Sequence, residues 1–227
     1  MIKPPKADFF GNPFLSLYFK ANDNFCLGPL AIDEMLIKII NERLEVPLIK
    51  VDSGGSDLTG LYTALNNKGV VFSDIFGDVG SETMKQVSKD YNVHLHKSSN
   101  VHNANGNNIC VNDSGGIINP DITSPEIKKI SDVLGVEIIP MEIAGYKTVG
   151  SMCMATNSGF ICHNETPPEV IKELETIFKV KGINVTVNFG VPFAGTAVIA
   201  NSNGYLIGSE STGVEVQRVE EALDLMR

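Results

Sequence analysis

The sequence predicts a mixed α/β domain built from five copies of a β-β-α-β unit, and three observations carry that expectation. Glycines recur at Gly60, Gly106, Gly150 and Gly195, spaced by 46, 44 and 45 residues, and each is followed nine positions later by another: Gly69, Gly115, Gly159 and Gly204. Between the paired glycines a β-prone run gives way to turn formers, as where residues 109–111 lead into Asn112, Asp113 and Ser114. After each pair comes a stretch with apolar residues at three- and four-residue spacing, the mark of an amphipathic helix. A period of this length signals a repeat architecture.

Taken in order, the first strands of the units fall at residues 17–19, 61–65, 109–111, 152–154 and 197–200. The returning strands fall at 25–27, 70–72, 116–118, 160–162 and 205–207. The turns between them combine Asn, Asp and Gly, and the second glycine of each pair is expected to close its hairpin with a positive φ. Counting back 45 residues from Gly60 reaches Leu15, and the turn position nine further on is Asn24, the non-glycine type best suited to the left-handed region.

The helices follow, with Met35, Leu36, Ile39 and Ile40, or Ile127, Ile130, Val133 and Leu134, forming the buried stripes. Thr123 with Glu126, Thr166 with Glu169, and Thr212 with Glu215 read as capping boxes, with Pro125, Pro167 and Pro168 in first turns where a missing N–H costs nothing. Third strands are expected at 48–51, 93–95, 136–139 and 183–187. The fifth unit ends after its helix and lacks a third strand, which residues 7–10 are expected to supply. The result is one ring domain over 1–227, with units near 15–59, 60–105, 106–149, 150–194 and 195–227, because a lone unit of this size cannot bury its apolar face.

Composition narrows the function. Hydrophobic residues make up 43% and charged residues 20% of the 227, and no apolar stretch is long enough to span a bilayer. The amino terminus, with Lys3, Pro4, Pro5, Lys6 and Asp8, lacks the apolar segment of a secretory signal, so a cytoplasmic location is expected. Cys26, Cys110, Cys153 and Cys162 form no C-x-x-C and lie in apolar runs, as reduced core thiols do. The net charge of −9 argues against a protein whose main work is gripping a nucleic-acid backbone.

A five-unit ring of this kind is the pentein, or α/β-propeller, fold, and the chain resembles the initiation factor 6 family along essentially its whole length. The resemblance rests on Gly11, Asn12 and the run 14–20; on Gly106, Asn107 and Asn108 leading to Val111, Asn112 and Asp113; and on Asn119, Pro120 and Asp121. It continues through 133–137, Val149, Gly150 and Ser151, and Thr156, Asn157, Ser158 and Gly159. Ending at Arg227 looks like the archaeal form of the family. The resemblance implies a non-enzymatic, monomeric factor that binds the large ribosomal subunit and keeps the small subunit from joining it, with a part in large-subunit biogenesis. It implies docking beside the sarcin–ricin region against ribosomal proteins, with limited contact to ribosomal RNA, and no cofactor or metal.

The docking rim implied by the resemblance includes the residue after each unit-leading glycine: Asn107 first, with Leu61, Ser151 and Thr196 at the equivalent positions. Asn107 also suits a turn for its own reasons, and Ser151 and Thr196 read more simply as turn residues. The rival reading is a pentein hydrolase or transferase acting on guanidino groups, which needs a cysteine nucleophile near the chain end with a histidine to activate it. No cysteine follows Cys162, no histidine follows His163, and adjacent strand residues point to opposite faces, so those two cannot act as a pair. His94 and His96, with His102 beyond, read as a solvated strand face rather than a metal site.

Overall fold

The computed structural model describes residues 5–225. The chain begins with β1 (Lys6–Ala7) and a short 3-10 turn at Leu15–Leu17, and the first unit continues through β2 (Lys20–Ala21), β3 (Cys26–Pro29), α1 (Glu34–Leu44) and β4 (Leu48–Val51). The second comprises β5 (Thr63–Leu65), β6 (Gly69–Ser73), α2 (Gly77–Tyr91) and β7 (His94–Ser98). The third opens with a one-turn helix, α3 (Asn105–Asn108), then β8 (Ile109–Val111), β9 (Gly116–Ile118), α4 (Ser124–Leu134) and β10 (Ile138–Pro140). The fourth repeats this as α5 (Val149–Met152), β11 (Cys153–Ala155), β12 (Phe160–His163), α6 (Pro168–Phe178) and β13 (Gly182–Val185). The fifth has α7 (Ala194–Ala197), β14 (Val198–Ala200), β15 (Tyr205–Gly208) and α8 (Gly213–Ala222).

These strands form five three-stranded sheets, each with an antiparallel hairpin and a third strand parallel to the hairpin's second. The fifth sheet is completed from the amino terminus, where Lys6 and Ala7 pair in parallel with Ile207 and Gly208. The donated strand lies slightly before the expected 7–10: Phe9 turns back to bridge Asn12 instead. Positions 226 and 227 of the fifth unit lie outside the described residues.

Each helix is shared between two sheets, which is why no unit can stand alone. Ile130 and Leu134 of α4 pack with Ala64 and Val71 of the preceding sheet as well as Ile118 and Ile138 of their own. Leu174 and Phe178 of α6 likewise meet Cys110 and Ile117. Leu36, Ile40 and Leu44 of α1 pack against Ile199 and Leu206 of the fifth sheet, so the last unit stands to the first as each unit stands to the next. Met35, expected in this stripe, is 64% exposed.

The hairpin glycines have a different role from the one expected. None of Gly69, Gly115, Gly159 and Gly204 has a positive φ, nor does Asn24. The turns are closed by side chains: the amide oxygen of Asn66 accepts from the backbone N–H of Lys68 and Gly69, each at 3.0 Å, and Asn22, Asn112 and Asn201 do the same in their units. Such side-chain caps remove the need for a left-handed residue. The glycines are required because a Cβ at Gly69, Gly115, Gly159 or Gly204 would collide with the carbonyl of Val133, Ile177, Ala222 or Arg43, near the end of the next unit's helix.

One of the three expected capping boxes forms. Thr212 accepts from Glu215 N–H while Glu215 accepts from Thr212 N–H at 2.7 Å. Thr123 sits at its cap but makes no side-chain cap bond, and Glu126, which would supply the reciprocal bond, turns to His96 at 2.7 Å. At the fourth helix the cap is Pro167, and Thr166 donates to the His163 carbonyl.

Candidate functional site

The inner strand of each unit runs between two unlike ends. At one end lie the side-chain-capped turns, which are tied to one another across units. The Asn22 amide donates to the Asn66 carbonyl at 2.9 Å, Asn66 to Asn112 at 3.2 Å, Asn112 to Thr156 at 2.9 Å, and Asn201 to Asn22 at 3.1 Å. Above them, Asp23 and Asp113 alternate with Asn67 and Asn157, whose amide groups each donate to both carboxylates. Burial pushes the Asp23 carboxyl up, but hydrogen bonds from Ser202, Asn67 and Asn157 outweigh it and hold the group below the usual carboxylate range.

At the other end lie the unit-leading glycines, in the one-turn helices of the last three units and in the turn at Gly60. Their packing is backbone on backbone: a Cβ on Gly106 would strike the Gly60 carbonyl, one on Gly150 that of Gly106, and one on Gly195 that of Gly150. Ser16 fills the corresponding place in the first unit, and its hydroxyl donates to the Val198 carbonyl of the fifth. The backbone continues the chain of contacts, with Leu61 N–H donating to the Leu17 carbonyl and Gly106 N–H to that of Leu61, both at 2.9 Å.

The structure therefore gathers the predicted rim residues at one end. Asn107, Leu61 and Thr196 are partly buried there, and Thr196 donates to the Phe193 carbonyl at 2.7 Å. Ser151 is only 8% exposed, which leaves it little surface to offer a partner.

What protrudes at this end is a set of loops that lead from the third strands back to the unit-leading turns. Parallel pairing brings each third strand's exit to the same end as the start of the inner strand. Their tips carry Phe10, 74% exposed, and Phe189, 81% exposed, together with Val101 and Tyr146. Both phenylalanines have positive φ and are followed by a glycine in the same region, so the tight turn drives the rings outward. The two loops adjoin, since Asn188 donates to the Pro13 carbonyl at 3.2 Å. Glu215 anchors the second loop by accepting from the N–H groups of Phe189 at 3.2 Å and Gly190 at 2.9 Å. These tips lie outside the sequence-based expectations, although the chain carries a signal for them: Phe-Gly-Asn-Pro-Phe at 10–14 is matched by Phe-Gly-Val-Pro-Phe at 189–193.

Between the two ends lies a cavity of about 40 Å³, walled by the inner strands of all five units, with Ala21, Leu65, Val111, Ala155 and Ala200 at one level. Burial pushes the Cys153 thiol in its wall well above the ordinary thiol range, with neighbouring Cys110 adding to the effect, and burial raises Cys162, outside that wall, to about 11, so both are poor nucleophiles. His163 is buried against Tyr146 and Phe193, its ring centroid 5.6 Å from that of Tyr146, and burial lowers its pKa. His96 is not a solvated strand residue as expected, because it pairs with Glu126. Among the described residues no helix is long and apolar enough to cross a membrane.

Comparison with known proteins matches the chain to a family. Residues 5–222 match the model described as the eIF-6 family. The chain is 33% identical to translation initiation factor 6 of Thermococcus onnurineus, over 97% of this chain and 98% of that protein. It is 33% identical to the factor of Picrophilus torridus, over 98% of this chain and all of that one, and 35% identical to that of Archaeoglobus fulgidus, over 94% and 96%. The chain belongs to the eIF-6 family, whose members are translation initiation factors and not enzymes.

Proposed function

We propose that the five units close into a pentein ring, one domain with unit boundaries near 15–59, 60–105, 106–149, 150–194 and 195–227, and that this ring binds the large ribosomal subunit. Seated on the joining face, it bars the small subunit by occupying its space. Binding alone performs this function, and it serves both large-subunit maturation and initiation in the cytoplasm. The factor acts as a monomer.

The observation that carries this reading is the asymmetry between the two ends of the repeat array in a chain of this family. One end is closed by its own hydrogen bonds between Asp and Asn side chains. The other projects Phe10, Val101, Tyr146 and Phe189 into solvent, and aromatic residues held on tight loops are the anchors that protein interfaces favour. Asn107, Leu61, Ser151 and Thr196 then form the floor of the docking face rather than its points of contact, with Asn107 the best placed of the four. A net charge of −9 suits basic ribosomal proteins near the sarcin–ricin region better than extensive contact with RNA.

Co-sedimentation with isolated large and small subunits, followed by a subunit-joining assay, tests the proposal. The expected outcome is selective binding to the large subunit and a block on joining. Failure to bind either subunit would remove it.

A further inference from the structure

The cavity at the centre of the repeat array contains one charged side chain. Among the described residues Lys20 is the only ionisable group in its wall apart from the thiols of Cys110 and Cys153, and no carboxylate lines it. Among the described residues the Lys20 ammonium forms no hydrogen bond and no ion pair. The carboxylates nearest along the strand, in the turn at Asp23, are three residues on, which is roughly 10 Å in an extended chain. They are also committed to Asn67, Asn157 and the backbone N–H of Ser202. Lys20 is partly buried, and a cation drawn out of water is costly unless something compensates it.

The backbone around the cavity supplies a second, independent feature. In every hairpin the N–H of the turn's first residue donates to the carbonyl of its last: Asn22 to Phe25, Asn66 to Gly69, Asn112 to Gly115, Thr156 to Gly159 and Asn201 to Gly204. Hydrogen-bonded and non-hydrogen-bonded pairs alternate along an antiparallel ladder. The preceding pairs, Ala21 with Cys26, Leu65 with Val70, Val111 with Gly116, Ala155 with Phe160 and Ala200 with Tyr205, are therefore of the non-bonded kind. Their N–H groups point away from the hairpin partner, on strands that form the free edge of each sheet. All five of these inner-strand residues line the cavity. Among the described residues, one ammonium and five edge N–H groups turned away from their hairpin partners thus share a space with no anionic side chain.

We propose that this cavity is a binding site for a small monovalent anion of halide size, held by the Lys20 ammonium and the edge N–H groups of the inner strands. A volume of about 40 Å³ suits chloride or bromide and excludes a nucleotide or a peptide. Burial lowers the Lys20 pKa, and a bound anion opposes that shift by favouring the charged amine. The anion joins the five inner strands at their common centre, so its effect is on the stability of the folded protein. The inference is independent of any ribosomal role.

The test compares thermal unfolding of the full chain in sodium bromide and in sodium gluconate at matched ionic strength, for the wild type and for Lys20→Met, which keeps the length of the side chain without its charge. A ligand that binds only the folded state raises the melting temperature, and a rise of about 3 °C in bromide is expected for a chain of this size. The variant is expected to lose that increment. A crystal grown in bromide is expected to show anomalous density in contact with Lys20 Nζ. Equal melting temperatures in the two salts, or the same increment in the variant, would overturn the site. Should Lys20→Met fail to fold, the wild-type anomalous map decides: density at Nζ supports the site, and its absence excludes it.

Discussion

Asp23 and Asn157, 134 positions apart in the sequence, are joined by a 2.9 Å hydrogen bond between side chains. The Asp23 carboxylate also accepts from the Asn67 amide at 2.7 Å and from the backbone N–H of Ser202 at 2.8 Å, so one residue of the first unit holds three others together. The hydrogen bonds more than offset the cost of burial and depress its folded pKa, so its contribution to stability is present above the unfolded value of 3.8 and is lost as pH falls through the folded value. Asp23→Asn is expected to lower stability at neutral pH by about 2 kcal/mol, since it places an amide donor opposite other donors. Denaturant unfolding at pH 7 and pH 3 checks this, and the difference between wild type and variant should shrink at the lower pH.

The fourth unit lacks one link that the others have. Asn66 and Asn112 each donate to the next unit's turn and helix end, the latter reaching Thr156 and Phe178, whereas Thr156 has no amide to continue the series. Thr156→Asn is expected to add a bond to the Asn201 carbonyl and to raise stability by about 1 kcal/mol, while Asn112→Ala lowers it by about 3 kcal/mol through two lost cross-unit bonds and an uncapped turn. A lower melting temperature for Thr156→Asn would show that the fourth turn is shaped differently.

Gly115 tests why glycine is needed at the hairpins. Its φ is not positive, and the obstacle to a side chain is the Ile177 carbonyl. Gly115→Ala and Gly115→Asn are therefore expected to destabilise equally, by about 2 to 3 kcal/mol. If asparagine proved much milder than alanine in equilibrium unfolding, left-handed geometry would be the operative requirement instead.

The His96–Glu126 bond joins the third strand of the second unit to the helix of the third. Burial raises the Glu126 carboxyl, but hydrogen bonds and charge from His96 and then Lys129 outweigh it and hold the group below its ordinary 4.5. The stability it supplies is present above that value and lost as pH falls through the folded pKa. Glu126→Gln should thus melt lower than wild type at pH 7, with the gap closing in more acid solution; a gap that stays constant down to pH 3 would count against the pair.

The docking face is expected to separate binding from folding. Replacing exposed Phe10 and Phe189 with serine should leave the melting temperature within about 2 °C of wild type, because exposed side chains contribute little to the core. The same change should weaken large-subunit co-sedimentation by about tenfold or more, as loss of an aromatic anchor does. Asn107→Arg is expected to weaken binding less, since Asn107 is partly buried.

The sequence by itself determined the number of units, the order of their elements and the identity of the residues that recur, because a repeat is a property of the chain that needs no coordinates. It also placed the fifth unit's missing strand at the amino terminus to within a few residues. Only the tertiary structure decided why the recurring residues recur. Gly69 and Gly106 are glycine because a neighbouring unit's carbonyl occupies the place of a Cβ, and Asn66 is asparagine because its amide spans two units. Glu126, which reads as a local cap, is taken by His96 from another unit. Each of these depends on packing between units some forty-five residues apart, and periodicity reports that such positions matter without saying what they touch. The exposed tips at Phe10 and Phe189 belong to the same class: their loop sequences rhyme, but it is the parallel third strands that carry them to one end of the molecule and turn two unremarkable phenylalanines into a surface.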